Sequence, residues 1–404
     1  MIKFVVILLA VLGNAYSIFL KVLRYRSANN PVPANVADIY DAETYQRWKR
    51  YSAEHCKIDI GFGIASFAVT LVLLLTNAHA AFASWFPGGK YAQLFAVILL
   101  MLIVDTVLDI PKSYMQTMII EEKYGFNRST MKTFIKDMIV RMIGNLALTG
   151  GIILLMMKLH ELTGDYLFLV FAVAIFAVTI VMMLLAPLFA RIDNKFTPLE
   201  DGELKDRLMA LLSKHGYKVK SIEVMDASRR TTKLNAYFAG FGKMKTIVLY
   251  DNLVNAMTTE EICAVFAHEL GHGLNKDIPK QHAMNFGNFL LMAVVVWLSV
   301  RYPQLHAAFG FSEINYGFAY VVTSIALGLI QPLTGMVMHA YSRFAEYRAD
   351  RQAVKEGYGD AMVTALKKLA KENFAHLAPS AIFVVLEYSH PPLSQRIAKV
   401  EQQK

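Results

Sequence analysis

Long apolar runs, separated by polar and charged segments, dominate the chain. They predict seven membrane-spanning helices, at roughly Phe4–Leu23, Ile60–Trp85, Leu94–Ile110, Met142–Met157, Tyr166–Ala190, Phe286–Val300 and Tyr316–Met338. A helix needs about 20 apolar residues to cross a bilayer, so the fourth and sixth runs are short, and a buried core helix or a re-entrant segment is the alternative for each. The first run is too long for the apolar part of a signal peptide, which favours a retained helix. The pattern therefore predicts a mainly α-helical, multi-pass membrane protein.

The charges between the runs predict how the chain is oriented. Lys21–Lys57 carries seven Lys or Arg and Lys112–Arg141 carries six, whereas the connectors around Lys90, Lys158 and Arg301 carry one each. Basic loops stay on the cytoplasmic side, so we expect the N-terminus outside and the C-terminus inside. Both long polar segments, residues 191–281 and 341–404, would then be cytoplasmic.

The amino-acid composition is typical of an integral-membrane protein. Of 404 residues, 55% are hydrophobic, and the net charge is +9. Basic loops beside anionic lipid account for this charge, so no nucleic-acid partner is needed. We divide the chain into spans 1–5 with their basic loops (1–190), a first cytoplasmic part (191–281), spans 6–7 (282–340) and a second cytoplasmic part (341–404).

The first cytoplasmic part is predicted to hold a small β-sheet followed by a helix. An amphipathic helix over Leu199–Lys214 precedes the extended segments Ile222–Met225, Asn235–Ala239 and Thr246–Leu249, and Gly242-Lys243 forms a turn between the last two. Thr258 to Glu261 is typical of a capping box that opens a helix, and Gly273 with Asn275 would end it. An exposed strand edge next to this helix would be able to pair with an extended peptide.

The predicted helix carries His268-Glu269-Leu270-Gly271-His272. Two histidines four residues apart lie on one helix face, so both imidazoles can bind one metal ion. Glu269 would then point towards the open side of the ion, where a carboxylate can accept a proton from water. The alternative is a pair of surface or core histidines without a metal.

Catalytic zinc usually has three protein ligands and keeps the fourth position for water. Directly after the last span, Glu346 is a candidate third ligand, and Asp350, one turn later, is placed to orient a histidine. The alternative is a solvated helix face on which Arg343, Glu346 and Asp350 form surface pairs. His390 is a candidate for stabilising an oxyanion, although an isolated histidine is more often a hydrogen-bonded loop residue.

Six stretches together resemble the type I CAAX prenyl endopeptidase family, which are integral-membrane zinc metalloproteases. They run in the same order over nearly the whole chain: Glu121-Glu-Lys-Tyr-Gly-Phe-Asn-Arg-Ser-Thr130, Lys195-Phe-Thr-Pro-Leu-Glu-Asp-Gly-Glu203, Asn235-Ala-Tyr-Phe-Ala-Gly240, His268-Glu-Leu-Gly-His272, Ser342-Arg-Phe-Ala-Glu-Tyr-Arg-Ala-Asp350 and Tyr388-Ser-His-Pro-Pro-Leu393. The resemblance implies a gluzincin-like zinc protease domain on the cytoplasmic side and seven spans around a water-filled chamber. Asp105 and Asp109 fit such a polar interior.

The same resemblance implies a role for each site residue. It makes His268, His272 and Glu346 the ligands of one Zn²⁺, and Glu269 the general base and later proton donor. Asp350 would support a zinc ligand, and the substrate would lie along Asn235 and the Ala236 backbone. His390 and Arg396 would flank the transition state.

The resemblance also implies the partners: the lipid bilayer and a peptide or protein substrate, prenylated or not, that is cleaved near its C-terminus. One departure bears on that substrate: before Asn235 the chain has Thr231-Thr-Lys-Leu234, where family members that cleave prenylated proteins have a His-Ser pair. This leaves open a quality-control protease of broad specificity, and together with the chain length it favours a bacterial inner membrane over the endoplasmic reticulum. A transporter or scaffold with structural zinc is disfavoured, because structural sites have four protein ligands and three are found. The oligomeric state stays open.

Overall fold

The structure, a computed structural model, describes residues 1–239 and 246–404. The predicted turn at Gly242-Lys243 and the end of the Asn235–Gly240 stretch lie outside the described residues. The described chain is mainly α-helical, as predicted.

The helices are numbered in chain order. They are α1 (Ile2–Ser27), α2 (Ala42–Leu75), α3 (Ala78–Ser84), α4 (Gly89–Tyr114), α5 (Met131–Thr163), α6 (Leu167–Asp193), α7 (Glu203–Lys214), α8 (Asp251–Ala256), α9 (Thr259–Leu274), α10 (Asp277–Arg301), α11 (Pro303–Ala307), α12 (Tyr316–Lys355), α13 (Gly359–Glu372), α14 (Ala381–Glu387) and α15 (Leu393–Glu401). A seven-residue π-helix, Met115–Glu121, continues α4.

Six stretches of the described chain are long and apolar enough to cross a membrane. The fourth of them, Met131–Ile192, contains two helices, α5 and α6, which are separated at Gly164 and pack against each other. Gly164 has a φ of 52°, a conformation that favours glycine and lets the chain reverse. With α5 and α6 counted separately, the number of membrane-crossing helices is the seven that the apolar runs predict.

The second predicted span is wrong at its C-terminal end. The apolar pattern predicts one helix up to Trp85, whereas α2 ends at Leu75 and the short α3 follows. Asn77, with a φ of 58°, adopts the left-handed conformation that breaks the helix, and asparagine tolerates it better than most residues. Hydropathy does not register this break, because the residues on both sides are apolar.

A cavity of about 660 Å³, with both polar and apolar lining, lies among the membrane-spanning helices α1, α2, α4 and α5. Asp105 and Asp109 line it together with Lys21, Lys112 and Arg141. The two aspartates therefore share a cavity with three basic side chains, which offsets the cost of placing carboxylates within a membrane-spanning helix.

Four short strands form one mixed sheet in the order β1-β2-β4-β3. They are β1 (Phe196–Pro198), β2 (Ser221–Met225), β3 (Ala236–Ala239) and β4 (Thr246–Tyr250). The last three match the predicted segments within one residue at each end, whereas β1 was not predicted. Within the described chain β3 is an edge strand, paired on one side only, with β4.

Helix α12 connects the membrane part to the polar C-terminal part without interruption. Its 40 residues make it about 60 Å long, roughly twice the thickness of the hydrocarbon core of a bilayer. The predicted last span occupies its first half, and Glu346 and Asp350 lie in its second half. The boundary predicted at residue 340 therefore falls inside one continuous helix.

Candidate metal centre

The helix that carries the two histidines begins as the sequence predicts. The Thr258 hydroxyl accepts a hydrogen bond from the backbone N–H of Glu261, and the Glu261 carboxylate accepts one from the N–H of Thr258, which completes a capping box. Ile262, Phe266 and Leu270 are buried against the sheet side of the molecule. This burial turns His268 and His272 towards α12.

Small residues allow α9 and α12 to pack very closely. Ala345, Ala349 and Ala353 form one stripe on α12 and are almost fully buried. On α9, a Cβ added at Gly271 would lie 2.9 Å from the Ala349 Cα, closer than real side chains come to a backbone. Glycine at position 271 therefore sets the distance between the histidines and Glu346.

Replacing Gly271 by Ala should separate the two helices, because the backbone of Ala349 cannot move aside as a side chain would. We expect a loss of stability of about 1–3 kcal/mol and weaker metal binding, measured by thermal unfolding and by competition with a chelator. Gly287→Ala is the matched control, since no atom lies within 4 Å of a Cβ added there. Equal behaviour of the two variants would contradict the packing argument.

His268, His272 and Glu346 come together as the sequence predicts, with ligand atoms within 4.8 Å of one another. Glu346 Oε2 lies 3.6 Å from His268 Nε2, and Glu346 Oε1 lies 3.4 Å from His272 Nε2. Tetrahedral ligands at 2.0–2.1 Å from a zinc ion are about 3.4 Å apart, so the three groups fit one ion. Glu346 Oε2 is also buried and accepts no hydrogen bond, although the positive charge of Arg396 lies 3.1 Å from it, so it keeps a lone pair for a metal.

Asp350 orients His268. Its Oδ1 lies 2.8 Å from His268 Nδ1, and since a carboxylate only accepts, the ring nitrogen must donate. In the neutral ring, the form that binds a metal, this donation leaves the lone pair on the other nitrogen, Nε2, which faces Glu346. Arg396 holds this carboxylate with two hydrogen bonds, at 2.9 and 2.6 Å, and its Nη1 lies 3.1 Å from Glu346 Oε2.

A matching arrangement around His272 was missed by the sequence analysis. His272 Nδ1 donates to Asp277 Oδ2 at 3.0 Å, and Asp277 Oδ1 accepts from Tyr341 Oη at 2.9 Å and from Arg348. Asp277 is buried at the first position of α10. Each histidine thus has its own aspartate, and each aspartate has its own arginine.

The contacts of His272 with Glu346 and Asp277 also change the pKa of its ring. Although burial disfavours the charged ring, hydrogen bonds with Glu346 and Asp277 raise the pKa of His272 to about 9. Imidazole binds a metal in its neutral form, so a metal ion would displace this proton. Asp277, itself held by Arg348, keeps the His272 ring in place while the metal ion replaces the proton.

Two further residues accompany the cluster: Glu269 follows His268 on α9, and His390 lies against Glu346. Burial raises the pKa of the Glu269 carboxyl, which makes it easier to protonate than an exposed glutamate. His390 Nε2 lies 3.3 Å from Glu346 Oε1, and its side chain is 62% exposed. Arg343 donates to the carbonyls of Val384 and Tyr388, at 3.0 and 2.7 Å, and so holds the segment that leads to His390.

The two residues predicted to line the substrate lie at the edge of the sheet. The Asn235 carbonyl accepts a hydrogen bond from the Tyr250 N–H at 3.1 Å, so Asn235 is paired with β4. Because such pairing alternates along a strand, the backbone of Ala236 points to the free edge. Strand β3 also contacts α9, the helix that carries His268 and His272.

The alternative interpretation of residues 342–350, a solvated helix face with surface ion pairs, does not hold. Glu346 is 5% exposed and Asp350 is 1% exposed, so neither belongs to a solvated helix face. Arg343 likewise contacts backbone carbonyls and forms no ion pair with either of them in the contacts described for it.

Fold and site together are those of one class of protein: a multi-pass membrane metalloendopeptidase, with a candidate metal site made of two histidines of one helix and a glutamate of another. Comparison with known families agrees. Residues 21–191 match the model of the CAAX prenyl protease N-terminal region, described as five membrane helices, and residues 198–404 match the model of peptidase family M48. The chain belongs to the M48 family, which implies a metal ion.

Individual relatives match over nearly the full length. CAAX prenyl protease 1 of Saccharomyces cerevisiae is 31% identical, and the match covers 92% of this chain and 88% of that protein. The CAAX prenyl protease 1 homolog of Homo sapiens is 27% identical, over 92% and 89% of the two chains. The crystal structure of Ste24p from S. mikatae superposes with a TM-score of 0.92 at 28% identity and covers 99% of each chain.

Proposed function

We propose that this protein is a zinc-dependent endopeptidase that hydrolyses a peptide bond near the C-terminus of CAAX-type protein substrates. The observation that carries the proposal is the cluster of His268, His272 and Glu346 beside an edge strand. The printed names of the relatives support the substrate class.

The chemistry follows from the positions of the side chains. Zinc, when bound by the three ligands, lowers the pKa of a bound water towards neutrality. Glu269 accepts the proton of the attacking water and later returns it to the leaving amine. His390, at the exposed side of the cluster, donates a hydrogen bond to the developing oxyanion.

Asp350, Asp277 and Arg396 act through the ligands. Asp350 and Asp277 fix the ring orientation of His268 and His272, and such partners typically contribute 10- to 100-fold to metal affinity or activity. Arg396 holds Asp350 and lies against Glu346. Whether it also contacts the transition state, as the resemblance implies, stays a prediction.

The substrate is proposed to bind as an additional strand. Ala236 offers its carbonyl at the free edge of β3, while its N–H donates to the side-chain oxygen of the exposed Asn235 at 2.9 Å. Backbone hydrogen bonds to an extended peptide give affinity without demanding a particular sequence. The reacting bond would then lie between the edge strand and α9.

The site is proposed to face the cytoplasm, because the basic connectors lie on that side in the predicted topology. The bacterial inner membrane as its location also stays a prediction, since the relatives named above come from eukaryotes.

The proposed function is tested with detergent-purified protein, a farnesylated CAAX-type peptide and the same peptide without the farnesyl group. We expect cleavage of the farnesylated peptide to be faster, to stop with a zinc chelator and to return when zinc is added back. Equal cleavage of both peptides would favour the quality-control protease of broad specificity. No cleavage of either peptide by zinc-loaded protein would contradict the proposal.

A further inference from the structure

The segment Thr231–Leu234, directly before the proposed substrate residue Asn235, is where the chain departs from the family pattern. It has no regular secondary structure apart from an isolated bridge at Thr231. Because the segment leads directly into β3, its position determines where the free edge of that strand begins. The contacts that hold the segment therefore also affect how a peptide binds at that edge.

Asn373 pairs with this segment as a neighbouring strand would. Its side-chain oxygen accepts a hydrogen bond from the Leu234 N–H at 2.8 Å, and its side-chain nitrogen donates to the Leu234 carbonyl at 3.1 Å. One amide side chain thus satisfies both backbone groups of the residue before Asn235. Asn373 lies at the C-terminal end of α13, outside the two helices that carry the metal ligands.

The opposite end of the segment is tied to the loop after the π-helix. Thr231 forms an antiparallel bridge with Asn127, and the Thr231 carbonyl accepts from the Asn252 side chain at 2.6 Å. Lys233 Nζ lies 5.4 Å from the centre of the Phe126 ring and 3.6 Å from Glu121 Oε1.

Glu121 connects these contacts to the membrane part. It is the last residue of the π-helix that continues α4, and its carboxylate accepts from Tyr51 Oη of α2 at 2.6 Å. π-helical turns are rare and occur frequently at functional sites. The Glu121–Thr130 stretch, which the family resemblance picks out but the metal centre does not use, thereby supports the segment before the substrate strand.

We propose that Asn373 is a positioning residue for peptide binding: its side-chain amide fixes the backbone of Leu234 and with it the free edge at Ala236. This inference rests on the proposed function, because it concerns the substrate of that same site. Asn373 acts on substrate affinity and not on the chemistry, since its described side-chain hydrogen bonds both go to Leu234. Removing it leaves metal binding intact.

The test compares Asn373→Ala with the wild-type protein in peptide cleavage, zinc content and thermal unfolding. We expect KM to rise about tenfold or more, because two hydrogen bonds to a backbone are lost, while kcat stays within about threefold and zinc stays stoichiometric. Asn30→Ala is the control: its amide donates to the Ala378 carbonyl at 3.0 Å and has no described hydrogen bond to the segment before the substrate strand. The control should lose stability without a change in KM.

A conservative variant separates positioning from folding. Asn373→Asp keeps the acceptor for the Leu234 N–H but replaces the donor with a carboxylate oxygen that repels the Leu234 carbonyl, so its KM should rise at least as much as that of Asn373→Ala. If Asn373→Ala does not fold, Asn373→Asp carries the test alone. An unchanged KM in a folded variant, or a loss of zinc equal to the loss of activity, overturns the inference. A wild-type protein that cleaves no peptide would instead contradict the proposed function.

Discussion

Replacing Glu269 by Gln is expected to lower kcat by about a thousandfold while the metal stays bound. Glutamine has nearly the same shape but cannot accept the proton of the attacking water, and general base catalysis contributes about 10²- to 10⁴-fold. The metal should remain because its three proposed ligands, His268, His272 and Glu346, are unchanged. The measurement is peptide turnover together with zinc stoichiometry in the same preparation.

Glu260→Gln is the control for this experiment. Glu260 lies on the same helix, and its contact with Arg207 at 3.0 Å is an exposed ion pair, which contributes little to stability. Its variant should keep full activity. Retained turnover in the Glu269→Gln protein with zinc bound would remove Glu269 from its assigned role.

Replacing Glu346 by Ala is expected to remove both metal and activity. The cluster would keep two ligands, and the cost should exceed the 10- to 100-fold loss of metal affinity that follows from changing a residue that only orients a ligand. Arg396, 3.1 Å from Glu346 Oε2, would also lose a carboxylate partner close to the histidines. Zinc content after dialysis, competition with a chelator and peptide turnover report the effect.

Glu372→Ala, at an exposed carboxylate at the end of α13, serves as the control and should bind zinc normally. Zinc content thus distinguishes the roles of Glu269 and Glu346: we expect the Glu269→Gln protein to keep its metal and the Glu346→Ala protein to lose it. Full zinc stoichiometry in the Glu346→Ala protein would refute the third ligand.

The centre of the site could be predicted from the sequence because its determinants are local. Thr258 and Glu261 define the start of α9 by a short-range capping pattern, and four-residue spacing places His268 and His272 on one face. Asp350, one helical turn after Glu346, follows from the same periodicity. Each of these pairs lies on a single helix.

Asp277 escaped prediction because it depends on a change of direction. It lies five residues after His272, and Lys276, with a φ of 55°, turns the chain between α9 and α10. Helical spacing therefore says nothing about its side chain. The positive φ brings its carboxylate back towards His272, where Tyr341 and Arg348 of α12 meet it.

The contacts of Gly271 and Asn373 could not be predicted for a different reason. Gly271 is needed because of Ala349 on α12, and Asn373 pairs with Leu234, more than a hundred residues earlier. Both depend on which distant elements are neighbours in space. A single sequence does not contain that information in any local pattern.

The unbroken course of α12 means that the catalytic part cannot be prepared as a water-soluble fragment. A polypeptide of residues 191–281 alone would contain two of the three proposed ligands, and the third stands on a helix whose first half is embedded in lipid. Biophysical work and inhibitor screening therefore require the complete chain in detergent or in a lipid nanodisc.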